Sequence, residues 1–235
     1  ARLMPYHGCL DHPNIVQYFQ IFYSAEFLVF TMEVLGTFQT CESLRQRMER
    51  KEADGKSLEE TDTVKIMSQL LSALDFIHSK SFVHRDVRPD TIFYRDPESD
   101  KVKLGGLELV KFVDGEWVDK TPRPAVLQYA CPEVIIDQRW TASADVWAAG
   151  VVMHELLIGG PPFTGQSTEL VYNILHGTLD NQAFVEAETT PEAKVLMRAM
   201  LLKNAYDRPL VKTLRAHTWL KMSFHRDWQA ERLMR

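Results

Sequence analysis

The chain has 235 residues, 45% hydrophobic and 25% charged, with a formal charge of -5. That is enough chain for one large core or two small ones. The negative balance argues against nucleic acid or an anionic membrane surface as the main partner. The three cysteines, Cys9, Cys41 and Cys131, lack paired spacing, which excludes a disulfide framework or zinc knuckle and points to a reducing, cytoplasmic setting.

In chain order, the start Ala1-Arg2-Leu3-Met4-Pro5 lacks the apolar core of a signal peptide. Ile15-Val16-Gln17-Tyr18-Phe19 and Phe27-Leu28-Val29-Phe30-Thr31-Met32 are rich in β-branched and aromatic residues around a polar turn, and predict a strand pair. Ser57-Leu58-Glu59-Glu60 has capping-box spacing, and Ile66, Met67, Leu70, Leu71, Leu74 and Ile77 follow at helical intervals. A helix is therefore expected over about 58–78. Short strands are expected at Phe82-Val83, Ile92-Phe93-Tyr94 and Val102-Lys103-Leu104. The stretch 143–157 is apolar nearly all round and predicts a buried helix, and its most apolar part, Val146 to Met153, is too short to span a bilayer. Further helical patterns lie near 168–176, 191–202 and 211–217, before a polar, Arg-rich tail with Trp228. No internal repeat is visible. The order predicts an α+β fold with its strands gathered toward the N-terminus.

One segment carries chemistry. Val83-His84-Arg85-Asp86-Val87-Arg88-Pro89-Asp90-Thr91 resembles the protein-kinase catalytic loop H-R-D-L-x-x-x-N. Alone, the triplet His-Arg-Asp is a common solvated turn. Other resemblances follow in family order: His12-Pro13-Asn14, Met32-Glu33-Val34-Leu35 at the adenine hinge and Cys131-Pro132-Glu133 for A-P-E. Asp145-Val146-Trp147 with Gly150, Gly160-Pro161-Pro162-Phe163, Asp207-Arg208-Pro209 and His217-Thr218-Trp219-Leu220 complete the series. The chain is identified as a member of the protein kinase superfamily. The resemblance implies that residues 1–35 end a small lobe, 36–220 form the large helical lobe and 221–235 form a tail.

The resemblance also assigns roles. Asp86 stands at the proton-accepting position and Arg88 where a lysine steadies the transferring phosphate. Met32, Glu33, Leu35 and Phe93 would line the adenine pocket, with Phe93 bulkier than the usual aliphatic residue, so that it either narrows the pocket or is accommodated. Glu133 and Arg208 would form a buried ion pair, Asp145 would accept backbone N–H groups of the loop, and His84 would pack in the core beside Arg85.

Several positions depart from the family. Gly106-Leu107-Glu108 falls on D-F-G, so the metal-binding aspartate is replaced by a residue with no side chain. Thr91 replaces the second metal ligand, and Val126 replaces a threonine hydroxyl expected to reach the catalytic aspartate. No G-x-G-x-x-G loop or V-A-I-K lysine is found, so the chain is expected to be a fragment or to have a truncated small lobe. Within 106–133 only Thr121 is a hydroxyl of the switch type.

The expectation is a catalytically impaired kinase-like domain, a pseudokinase, acting as a protein-interaction scaffold without a working cofactor or metal. The alternatives are a divergent Ser/Thr kinase that recruits Glu108 or Asp90 to hold magnesium with ATP, and a domain that binds ATP without turnover. Val87-Arg88-Pro89-Asp90-Thr91-Ile92-Phe93-Tyr94 is similar to the titin, twitchin and obscurin muscle kinases, most of all to the degenerate first kinase domain of invertebrate obscurin. That resemblance implies sarcomeric protein partners and a place at the M-band.

Overall fold

The computed structural model describes residues 9–23, 28–35, 41–96, 98–113, 117–118, 126–179 and 182–221. Thr121 and the tail with Trp228 lie outside the described residues. Strands β1 (Tyr18–Tyr23) and β2 (Leu28–Met32) form an antiparallel hairpin, registered from Tyr23 opposite Leu28 to Tyr18 opposite Met32. The first strand begins later than the apolar run suggested. Ile15 and Val16 are drawn into the helical core, at 1% and 2% exposure, where the amide of Val16 donates to the Leu104 carbonyl at 2.9 Å.

Helix α1 (Leu44–Ala53) is one that the pattern did not predict, because only Leu44 is buried and the remaining faces are polar. Its signal was the cap. Ser43 and Gln46 exchange side-chain and backbone bonds as a reciprocal box. Helix α2 (Glu60–Ser79) matches the expected span and buries Val64, Met67, Leu70, Leu71, Leu74 and Ile77.

The capping box expected from Ser57 to Glu60 does not form. Glu59 is the cap and makes no side-chain cap bond. Glu60 is committed elsewhere: it accepts the Thr190 hydroxyl, the Thr190 amide at 3.1 Å and the indole N–H of Trp219 at 2.7 Å. One carboxylate thus ties the start of α2 to α7 (Pro191–Met200) and α9 (Thr218–Lys221).

The short strands pair in twos. Antiparallel pairs join β3 (Phe82–Val83) to β6 (Lys111–Phe112), β4 (Ile92–Tyr94) to β5 (Val102–Leu104), and β7 (Trp117–Val118) to β8 (Arg139–Trp140). Helix α3 (Pro132–Asp137) precedes β8. Helix α4 (Ala142–Ile158) runs through the core, buried almost continuously from Ala144 to Leu156, and stops at Gly159 with φ +90°. Helices α2 and α7 pack against it and His154 stacks on Phe184 of α6 (Gln182–Glu186), while α8 (Val211–Arg215) and α9 pack on α2, and α5 (Thr168–His176) on α3. Trp147, Trp219 and Phe184 are the largest fully buried side chains. The architecture is α+β, rich in helix with few strands. No described helix is long and apolar enough to cross a membrane.

Candidate functional site

Asp145, near the start of α4, organises the loop between β3 and β4. Its two carboxylate oxygens accept the backbone amides of His84 at 2.8 Å and Arg85 at 2.9 Å, and Nε2 of His78 at 2.8 Å. Burial alone would raise this carboxyl, but the His78 hydrogen bond and charge hold it below the usual range. Arg85 has φ +73°, a left-handed conformation that costs a non-glycine residue about 1–2 kcal/mol, and the bonds to Asp145 hold it there.

His84 is fully buried. Its Nδ1 accepts the Asp86 amide at 3.2 Å, so Nε2 carries the proton and donates to the Gly105 carbonyl at 2.8 Å. Burial lowers its pKa, against the pull of Asp145, and the ring is neutral.

From Asp86 a ladder of alternating charges crosses to α1 and α4. Arg88 Nε donates to Asp86 Oδ1 at 2.9 Å, and its terminal nitrogen reaches Asp90 at 3.2 Å. Asp90 lies 3.7 Å from Arg45, whose other nitrogen donates to the Tyr129 hydroxyl at 2.6 Å and to Glu155 at 3.1 Å. The Tyr129 hydroxyl and the Gln128 amide in turn donate to Glu155. Burial pushes Glu155 up, opposed by the Arg45 charge. Sequence reading overlooked Arg45 and Glu155, although a glutamate inside an otherwise apolar helix demands a partner.

At the two positions that the motif matches to metal ligands, 91 carries a methyl facing 106 and 106 carries no side chain. The Thr91 hydroxyl turns away, within 2.7 Å of the Asp86 carbonyl and 3.0 Å of the Arg88 carbonyl. Its methyl lies 2.8 Å from where any Cβ on Gly106 would stand, and Gly106 has φ +72°. Asp86 Oδ2 is the nearest carboxylate oxygen to that point at 3.7 Å, while Oδ1 of the same carboxylate accepts from Arg88. Glu108 is exposed and takes the Tyr18 hydroxyl at 3.0 Å. Among the described residues no group of three His, Cys, Asp or Glu side chains could hold a metal ion. Gly106 has no side chain to offer a magnesium ion, and the Thr91 hydroxyl is already turned onto backbone carbonyls.

At the other side of the cleft, Glu33 accepts the Gln17 amide at 2.7 Å and the Lys103 ammonium at 2.6 Å, tying the end of β2 to β5. Leu35 is buried and Met32 exposed. Phe93 is half-buried, and its ring edge lies 2.9 Å from the position of a missing Cβ on Gly105. The larger side chain is thus accommodated by a bare backbone beneath it. Val126 and Asp86 line one small cleft with Tyr129 and Trp140, so an apolar wall stands where a hydroxyl was expected. Farther off, Arg208 grips Glu133 through two parallel bonds of 2.6 and 2.8 Å, both side chains buried.

The sequence matches the family described as "Protein kinase domain" over residues 4–220. The chain belongs to the protein kinase family. Among kinase relatives it is 30% identical over 216 residues to calcium-dependent protein kinase 6 of Plasmodium berghei (strain Anka), covering 92% of this chain and 14% of that one. It is 28% identical to an Aurora kinase of Dictyostelium discoideum, covering 92% and 52%. The kinase fold agrees with the solved autoinhibited serine kinase domain of the giant muscle protein titin, with TM-score 0.74 and 26% identity over 92% of this chain and 65% of that one. The chain therefore spans about half or less of the length of those two curated kinases.

Proposed function

We propose that this kinase domain has lost metal-dependent phosphoryl transfer and serves as a folded surface for protein partners. The observation that carries the reading is the Thr91 methyl packed into the space a side chain at position 106 would need. Both metal-ligand positions are lost together, and their substitutes complement each other in shape. Metal stabilisation of the transition state is worth several kcal/mol, so losing both ligands costs roughly a thousandfold or more in rate. Asp86 and Arg88 keep their chemical types but bond to each other. The carboxylates that could act as substitute ligands are engaged, Glu108 with Tyr18 and Asp90 with Arg88 and Arg45.

The experiment is phosphate transfer from labelled ATP by the chain with magnesium or manganese, beside Asp86→Asn. The expected result is no transfer above that variant. Metal-dependent transfer abolished by Asp86→Asn overturns the reading in favour of a divergent Ser/Thr kinase.

The reading extends to a muscle setting of the titin and obscurin kind, with sarcomeric partners at the M-band. Its support is the loop wording around Arg88 and the likeness to a titin domain. A tagged chain expressed in striated muscle should form stripes at the M-band, and a diffuse distribution would remove that extension. The division into a small-lobe end at 1–35, a large lobe at 36–220 and a tail belongs to the same proposal.

A further inference from the structure

The turn at 106–109 poses a mechanical question. It consists of Gly106 in a left-handed conformation and one 3-10 turn, Leu107–Leu109, closed by a single backbone bond from Val110 to Leu107 at 3.2 Å. So short a turn is weak on its own. Leu107 and Val110 anchor it in the core, while Glu108 and Leu109 face outward.

Across the cleft stands Tyr18 of β1, buried at 6% exposure and set edge-on against Phe30 at 5.7 Å. Its hydroxyl donates to Glu108 Oε1 at 3.0 Å. A buried phenol needs a partner, and this one finds Glu108 on the turn, far away in sequence.

We propose that Tyr18 and Glu108 form a latch that fixes the 106–109 turn to the β1–β2 hairpin without a cation. The latch deepens the reading of a metal-free domain and rests on it, since a turn held this way needs no magnesium to order it. It consumes the Glu108 carboxylate and joins the hairpin to the helical body as one rigid surface.

The test is amide hydrogen exchange on the chain, comparing Tyr18→Phe, Glu108→Ala, Glu108→Gln and the Tyr18→Phe/Glu108→Ala pair. Removing either partner should speed exchange at residues 107–110 about tenfold, as expected for a lost bond to a charged acceptor. Glu108→Gln keeps an acceptor and should change exchange less than the alanine variant. The double variant should resemble the singles, because the partners share one interaction. Unchanged exchange at 107–110 in Glu108→Ala, an exposed position where misfolding is not at issue, overturns the latch. So does acceleration spread evenly over the whole chain in both single variants. A magnesium-dependent slowing of exchange at the turn in the unaltered chain would instead strike the metal-free reading, so the two failures are distinguishable.

Discussion

The Thr91 methyl constrains position 106, where no side chain fits unless it moves. An aspartate at 106 would have to adopt φ +72° and would press its Cβ against the Thr91 methyl at 2.8 Å. Contacts that close force a neighbour to shift, which typically costs about 1–3 kcal/mol. Gly106→Asp should therefore lower stability by roughly that amount and bind no magnesium. Thr91→Ser removes only the methyl and keeps the hydroxyl bonds, so in that background Gly106→Asp should recover part of the loss. Urea unfolding of the four chains measures this, and strictly additive effects would show that the two positions do not touch. Gly105 and Phe93 form a second such pair. Gly105→Ala sets a methyl 2.9 Å from the Phe93 ring and should cost about 1–3 kcal/mol, relieved when Phe93→Leu is combined with it. A Gly105→Ala chain as stable as the original would mean that the ring moves freely.

Among the elements, α3 and α4 are tied to the segment before α8 by Arg208. Its guanidinium bonds Glu133 twice and also reaches the carbonyls of Leu202, Ser143 and Lys203. Arg208→Met leaves Glu133 charged and buried without its partner, so it should destabilise by about 3–5 kcal/mol. Arg208→Lys should recover little, since an ammonium cannot reproduce the planar fork. An unfolding midpoint unchanged in Arg208→Met would contradict this. Legibility followed the same logic. Helix α4 was plain in the sequence because burial on all sides demands apolar residues everywhere, and α2 because its stripe repeats over five turns. Helix α1 left no stripe, and the Ser57–Glu60 spacing misled because Glu60 answers to Thr190 and Trp219, partners far off in sequence. At the site, the identities of Gly106 and Thr91 were readable from the motif. The methyl facing Gly106, the ring over Gly105 and the Tyr18–Glu108 bond depend on side-chain direction, which spacing does not encode.

Over the whole molecule, the response to acid follows from two buried imidazoles, His84 and His154, and a partly exposed one, His12. His12 stacks on Phe76 at 5.2 Å, and burial, then the Arg215 and Lys103 charges, lower its pKa against Asp11. His84 lies at the loop, and His154 stacks on Phe184 at 6.1 Å with its Nδ1 2.6 Å from the Gly160 carbonyl; burial lowers both. Each folded pKa thus sits below the unfolded value of 6.5. The unfolded chain takes up these protons first, so the stability present above pH 6.5 declines as pH falls below it, at up to about 1.4 kcal/mol per pH unit for each of the two buried rings and less for the partly exposed His12. Glu155 works in the opposite direction, because burial raises its pKa and the folded state protonates first. One carboxyl does not offset three imidazoles between pH 6.5 and 5. The urea midpoint should therefore fall from pH 7 to pH 5, and His154→Gln should make the decline shallower. Equal midpoints at the two pH values would mean that these rings take up protons inside the fold as readily as outside it.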